Sequence, residues 1–259
     1  MRSYIFTLIL SSFCSILVGQ DRSLSGHFQV TKNNVRSEYQ LIIGNSYALW
    51  REVSDPESIE FDASVLPTDS HDREVMFKDR QNDVYLTKYS VLGGTFRVAD
   101  TLNRLPWILS STETAEILGF DCRKATLQFR GREYSVWYAP DIPVSEGPWK
   151  FSGLPGMILK ATTTSLGEFY QLECIRIDQQ AESIDREFVK YQKRFRRKTP
   201  LSWSGFMVAV DDHLNRVVQS IRAEFAADGE TGFNTTLRSV NHLELFSEEA
   251  QINGIYLEF

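Results

Sequence analysis

Tyr39-Gln40-Leu41-Ile42-Ile43-Gly44-Asn45-Ser46-Tyr47-Ala48-Leu49-Trp50 sets two apolar, strand-favouring runs on either side of a Gly-Asn pair. Gly and Asn tolerate the left-handed backbone that tight turns need, so the stretch predicts an antiparallel hairpin. The same grammar recurs downstream. Val84 to Lys88 and Thr95 to Val98 bracket Gly93-Gly94, a second hairpin. From Ala125 to Arg130, Leu127 and Phe129 alternate against Thr126 and Gln128, and a turn at Gly131 leads into Tyr134-Ser135-Val136-Trp137-Tyr138. Met157 to Thr162 and Phe169 to Ile177 supply two further strands. Short connections between successive strands predict an antiparallel meander, spanning mainly Gly26 to Ile177.

Two segments break this pattern. Asp55 to Asp83 is polar and acidic and reads as a loop excursion. Beyond Ser183 the period changes to that of a helix, with Ile184, Phe188, Tyr191 and Phe195 on one face and Asp185 available as a cap. Phe206 to Phe225 predicts a second helix through Val210, Leu214, Val217, Val218 and Ile221. Leu243 to Phe246 and Ile255 to Leu257 are weaker strand candidates. The expected fold class is therefore mainly β (α+β): a curved antiparallel sheet or half-barrel with one or two C-terminal helices.

The first nineteen residues read as a secretory signal peptide. Arg2 gives the positive start, Ile5 to Val18 is apolar, and Val18-Gly19 offers a small residue at the cut. The run is shorter than a membrane span and is interrupted by Ser11, Ser12 and Ser15. Phe13 is too bulky for the position before a lipidated cysteine, so Cys14 leaves with the leader. Residues 20–259 are expected to form one exported domain, in the periplasm or secreted. A net charge of −6 argues against general nucleic-acid binding. Two cysteines then remain, Cys122 and Cys174, and in an exported protein they are either a disulfide or two inert thiols.

The stretch Gly147-Pro148-Trp149-Lys150-Phe151-Ser152-Gly153-Leu154-Pro155-Gly156-Met157-Ile158-Leu159-Lys160 holds three Gly and two Pro, so it is a shaped loop rather than a slack linker. With Leu105-Pro106-Trp107, Ile117 to Ala125, Glu133 to Pro143 and Asn241 to Leu245, it resembles the GLPGLI family of exported Bacteroidota proteins. Met157 stands for the second Leu of the name motif, Lys160 for a common acidic residue and His242 for a usual Pro. The resemblance implies an exported, β-rich protein with no assigned activity. The strand order also resembles, at the level of fold, the curved half-barrel of periplasmic lipoprotein carriers.

The sequence offers few sites for chemistry. His27, His71, His213 and His242 are scattered, Asp211-Asp212-His213 points its side chains apart on a helix, and no Gly-x-Ser-x-Gly elbow, phosphate loop or dinucleotide fingerprint occurs. No metal, cofactor or catalytic residue is expected. Three function classes remain. One is a non-enzymatic binding or carrier module for a hydrophobic ligand or an envelope protein, with Trp137, Trp149, Phe151 and Leu154 as ligand-binding residues. The second is an interaction protein that pairs an exposed sheet edge with another chain, those aromatics being core. The third is a hydrolase whose carboxylates meet only on folding. The basic run Lys190, Lys193, Arg194, Arg196, Arg197 and Lys198 is either an anionic-surface patch, each charge contributing about 1 kcal/mol near an acidic surface, or a solvated helix face.

Overall fold

The computed structural model describes residues 23–32, 35–53, 75–165, 168–180 and 185–227. Eleven strands follow one another: β1 (Ser23–Lys32), β2 (Val35–Ile43), β3 (Tyr47–Val53), β4 (Val75–Asp79), β5 (Val84–Val91), β6 (Gly94–Thr101), β7 (Ile108–Ile117), β8 (Phe120–Phe129), β9 (Arg132–Ala139), β10 (Met157–Ser165) and β11 (Glu168–Gln180). Two helices close the described chain, α1 (Asp185–Phe195) and α2 (Trp203–Ala227). The mainly β architecture with two C-terminal helices is the one the alternation and the change of period predict. The signal peptide, the acidic stretch up to Glu74 and the tail strands lie outside the described residues.

The meander is broken once, and the break organises the molecule. All eleven strands form one antiparallel sheet in the order β6-β5-β4-β3-β2-β1-β11-β10-β9-β8-β7. Two meanders, β1 to β6 and β7 to β11, are thus joined along a seam where the first strand pairs with the last, Phe28 opposite Cys174 and Val30 opposite Leu172. The middle of the chain runs from one outer edge of the sheet to the other through residues 102–107 alone. An extended chain of that length reaches about 25 Å, whereas eleven strands laid flat would put the edges about 48 Å apart. The sheet must therefore curl until its edges approach.

Three hairpins turn on Leu92-Gly93, Leu118-Gly119 and Arg130-Gly131, both residues of each pair having positive φ. That is the two-residue geometry whose twist matches the strands it joins. Strand β4 corrects the loop expected from Asp55 to Asp83. It pairs with both β3 and β5 and buries Val75, Met76 and Phe77. Val75-Met76-Phe77 is too short an apolar run to stand out from acidic flanks, and pairing on both sides makes it a strand.

Alternation sends the two faces of the sheet to different partners. Leu41, Ile43, Ala48, Trp50, Met76 and Tyr85 share one core with Ala125, Leu127, Tyr134, Val136, Met157 and Leu172 from the other half. That is the concave face. The neighbouring positions Ile42, Leu49, Phe77 and Leu86 face the convex side and meet Phe188 and Phe195 of α1. Helix α2 lays Phe206, Val210 and Leu214 against Tyr89, Val91 and Val98. Between the helices Leu201 bridges to Val98 and exchanges backbone hydrogen bonds with Arg97 and Ala99, which occupies the middle of the β6 edge.

Candidate functional site

The connection between β9 and β10, residues 140–156, enters the concave face and fills it. Trp149 is 5% exposed, Phe151 1% and Leu154 2%, and all three belong to the core shared by both halves of the sheet. Phe151 packs edge-on against Tyr134 and Trp149, with ring centres 5.0 Å apart in each case. Trp107 adds a further ring contact to Phe151 and donates its indole N–H to the Ser152 carbonyl at 2.8 Å. The structure therefore brings Trp149, Phe151 and Leu154 together as core, the second of the two readings open for them. Trp137 packs only against the margin of this core. It is half-buried on β9, with Lys124 and Lys160 as its neighbours across the strands.

Backbone geometry fixes this loop. Trp149 sits at φ 54°, a conformation that costs a non-glycine residue about 1–2 kcal/mol and is offset here by its buried ring. Gly156 sits at φ 149°, and a Cβ there would run into the Ala139 carbonyl. Gly153 (φ 91°) donates its N–H to the Ser145 carbonyl at 2.9 Å. Gly156 is thus demanded by close packing against β9, and Gly153 by its backbone angle.

Lys150, between the two aromatics, is fully buried. Its Nζ donates to Asp100 Oδ2 and to the Tyr89 hydroxyl, both at 2.8 Å, and lies 4.7 Å from the centre of the Trp203 ring. Asp100 is held from its other side by Arg130, at 2.7 and 2.9 Å. Burial alone would raise the Asp100 pKa. The Arg130 hydrogen bond and the Lys150 and Arg130 charges outweigh it and hold the carboxyl below its ordinary range. A second cluster lies at the mouth. Lys78 reaches both Glu146 oxygens at 3.1 and 3.2 Å, and Arg80 Nε donates to Glu146 Oε1 at 2.9 Å. The Tyr85 hydroxyl bonds to the Lys150 carbonyl and to Ser152 Oγ. Burial works against the Lys78 charge, but Tyr85 and Glu146 hold its pKa above the usual value.

Beside this second cluster opens a cavity of about 510 Å³, lined by β4, the residue 102–105 connection and the 145–153 loop. Its walls are mixed, with Asn45, Lys78, Arg80, Asn103, Arg104 and Glu146 set beside apolar surface that includes Leu102 and Leu105. Sequence reading missed every residue of both ion clusters. The one legible signal was a lysine set between Trp149 and Phe151, two aromatics expected to bury.

The cysteines are free and buried, Cys122 on β8 and Cys174 on β11, with β9 and β10 between their strands. Of the two readings left open for them, the structure holds the inert thiols. Burial pushes their pKa values up, Cys122 to about 11 and Cys174 to about 12. The basic residues Lys190, Lys193, Arg194, Arg196, Arg197 and Lys198 are all exposed, on α1 and the turn that follows it. Among the described residues no group of His, Cys, Asp and Glu is placed to hold a metal ion. No helix among them is long and apolar enough to cross a membrane.

No curated protein matches the chain. Among solved structures, PNGF-II is 18% identical with a TM-score of 0.47, covering 67% of this chain and 32% of that one. The chain thus spans about a third of that protein. The Pseudomonas aeruginosa MucA/MucB complex is 8% identical at a TM-score of 0.34, over 69% of this chain and 60% of that one. A putative outer membrane lipoprotein-sorting protein domain from Vibrio parahaemolyticus is 9% identical at 0.32, over 72% and 97%. The stretch through the Gly131 turn, β9 and the interior loop, residues 130–160, matches the family model described as "Protein of unknown function (Porph_ging)".

Proposed function

We propose that the chain is an exported, non-enzymatic binding module of the cell envelope, of the GLPGLI kind, that takes an extended segment of another envelope protein along strand β7. The carrying observation is the contrast between the two sheet edges. The β6 edge is bridged at its middle by Leu201, with α2 packed beside it, while β7 has β8 on one side and no described strand on the other. An uncovered edge offers a row of backbone donors and acceptors, the recognition chemistry of strand addition. Exposed Ile108 and Leu109 at its start, 69% and 53% accessible, supply apolar contact beside that row.

Binding of a hydrophobic ligand within the sheet would require residues 140–156 to leave the concave face and break the Lys150–Asp100 pair. Strand addition requires no rearrangement. The exposed basic run from Lys190 to Lys198 would bring the module to an anionic envelope surface through long-range attraction.

Site-specific photo-crosslinking in the native host tests this reading. A photoreactive residue at Leu109 or Thr114 on β7 is expected to trap one recurrent protein, and one at Val208 on α2 to trap none. Crosslinks that arise equally from all three positions would overturn it, as would a lipid retained by the purified protein in native mass spectrometry.

A further inference from the structure

We infer that the cavity under the residue 102–105 connection is a binding site for a ligand carrying a carboxylate next to an amide, the chemistry of an N-acylated amino acid or of a peptide end. The inference goes beyond the edge-strand reading and does not rest on it. The cavity's 510 Å³ suits a small molecule or two to three residues of a peptide. Its charges do not cancel. Lys78, Arg80 and Arg104 face Asp83 and Glu146, leaving one positive charge over, which a single carboxylate neutralises.

The division of labour among these groups points the same way. Lys78, Arg80 and Glu146 are locked to one another, and Lys78 and Glu146 are 5% exposed, so they form a fixed floor. Arg80 also donates through Nη1 to the Gly44 and Asn45 carbonyls, which holds its guanidinium in one orientation. Arg104, by contrast, is exposed and makes no ion pair with another described residue. A planar guanidinium of this kind takes a carboxylate through two parallel hydrogen bonds. Around it the Asn45, Gln81 and Asn103 amides offer both donors and acceptors to a ligand amide, and Leu102 and Leu105 give a short apolar wall. A phosphate ester, with about two negative charges, would overshoot the single excess charge and meet Glu146 at close range.

The test is a titration of the folded protein followed by backbone amide NMR shifts, with three probes: N-acetyl-alanine, its carboxamide, and the acid of an acetylated alanine tetrapeptide. The acids are expected to shift Asn103, Arg104, Ser152 and Gly153 saturably, and the carboxamide to bind about tenfold more weakly or worse. Arg104→Ala, at an exposed position that leaves the fold intact, is expected to lose about tenfold for the acids and nothing for the carboxamide. Arg104→Lys should recover part of the loss. Equal affinity of the two acids assigns a free small carboxylate; an affinity that grows with length assigns a chain end. The inference is overturned if acid and carboxamide act alike, if no saturable shift appears at these residues, or if Arg104→Ala binds the acids as the wild type does. Those results leave crosslinking from β7 untouched, so the two proposals fail separately.

Discussion

Lys150 Nζ lies 2.8 Å from Asp100 Oδ2, and neither side chain reaches solvent. Lys150 belongs to the loop after β9 and Asp100 to β6, so this pair ties the filler of the concave face to the opposite half of the sheet. Burying two charges is costly, and attraction offsets that only where the remaining hydrogen-bonding capacity is satisfied. Tyr89 and Arg130 satisfy it here.

Removing one partner should therefore be expensive. Lys150→Ala is expected to lower unfolding stability by about 3–5 kcal/mol, read from urea melts. Lys150→Met with Asp100→Asn is expected to cost less than the sum of the two single changes, because it removes both charges together. A sum with no coupling would show that the pair does not act as a unit.

Stability should also follow pH in a defined direction. The Asp100 pKa is depressed in the fold, so its contribution is present above the ordinary 3.8 and is lost as pH falls through the lower folded value. Lys78 is raised, so its contribution holds below the ordinary 10.5 and is lost as pH climbs past it. The stability gap between wild type and Asp100→Asn is expected to be constant from pH 5 to 8 and to shrink below the ordinary Asp value. A gap that widens in acid would reverse the assignment.

Gly156→Ala places a Cβ against the Ala139 carbonyl at a backbone angle that L-residues avoid, and about 3 kcal/mol or more should be lost. Gly93→Ala, also at positive φ but with open space around it, should lose only about 1 kcal/mol. Thermal melts of the two variants distinguish a steric requirement from a purely torsional one.

The two thiols should be silent in the native state. Raised pKa values and burial leave almost no accessible thiolate at pH 8, so a thiol-specific reagent is expected to label Cys122 and Cys174 only after denaturant is added. Intact mass should show two reduced cysteines. Rapid native labelling of either would contradict the packing described.

The legible part of this fold was the hairpins at Gly44, Gly93 and Gly131 and the two helices, and the reason is local; β1 and β7 carried no such signal. Gly131 with its alternating flanks, or Phe188, Tyr191 and Phe195 on one helical face, carry their own instructions within a dozen residues. Strand β4 was hidden because Val75 to Asp79 becomes a strand only between β3 and β5. The candidate site was hidden for a stronger reason. Lys150 and Asp100, or Lys78 and Glu146, are distant in the chain and meet only through the curl of the sheet. The motif announced its Gly and Pro residues plainly, yet which way its aromatics faced depended on a concave surface that no local pattern describes.

The seam between β1 and β11 puts the two ends of the described sheet at its centre and the middle of the chain at its margins. A growing chain can zip β1 through β6 as successive hairpins, but β1 keeps an open side until the last strand arrives. Nothing short of the whole sheet can seal it. Cutting the chain within residues 102–107 and joining its end to the start of β1 would put all eleven strands in meander order, with the helices as one insertion between β11 and β1, and faster folding as the expected gain. The natural connectivity keeps the slower route, and with it the short strap across the mouth on which the cavity depends.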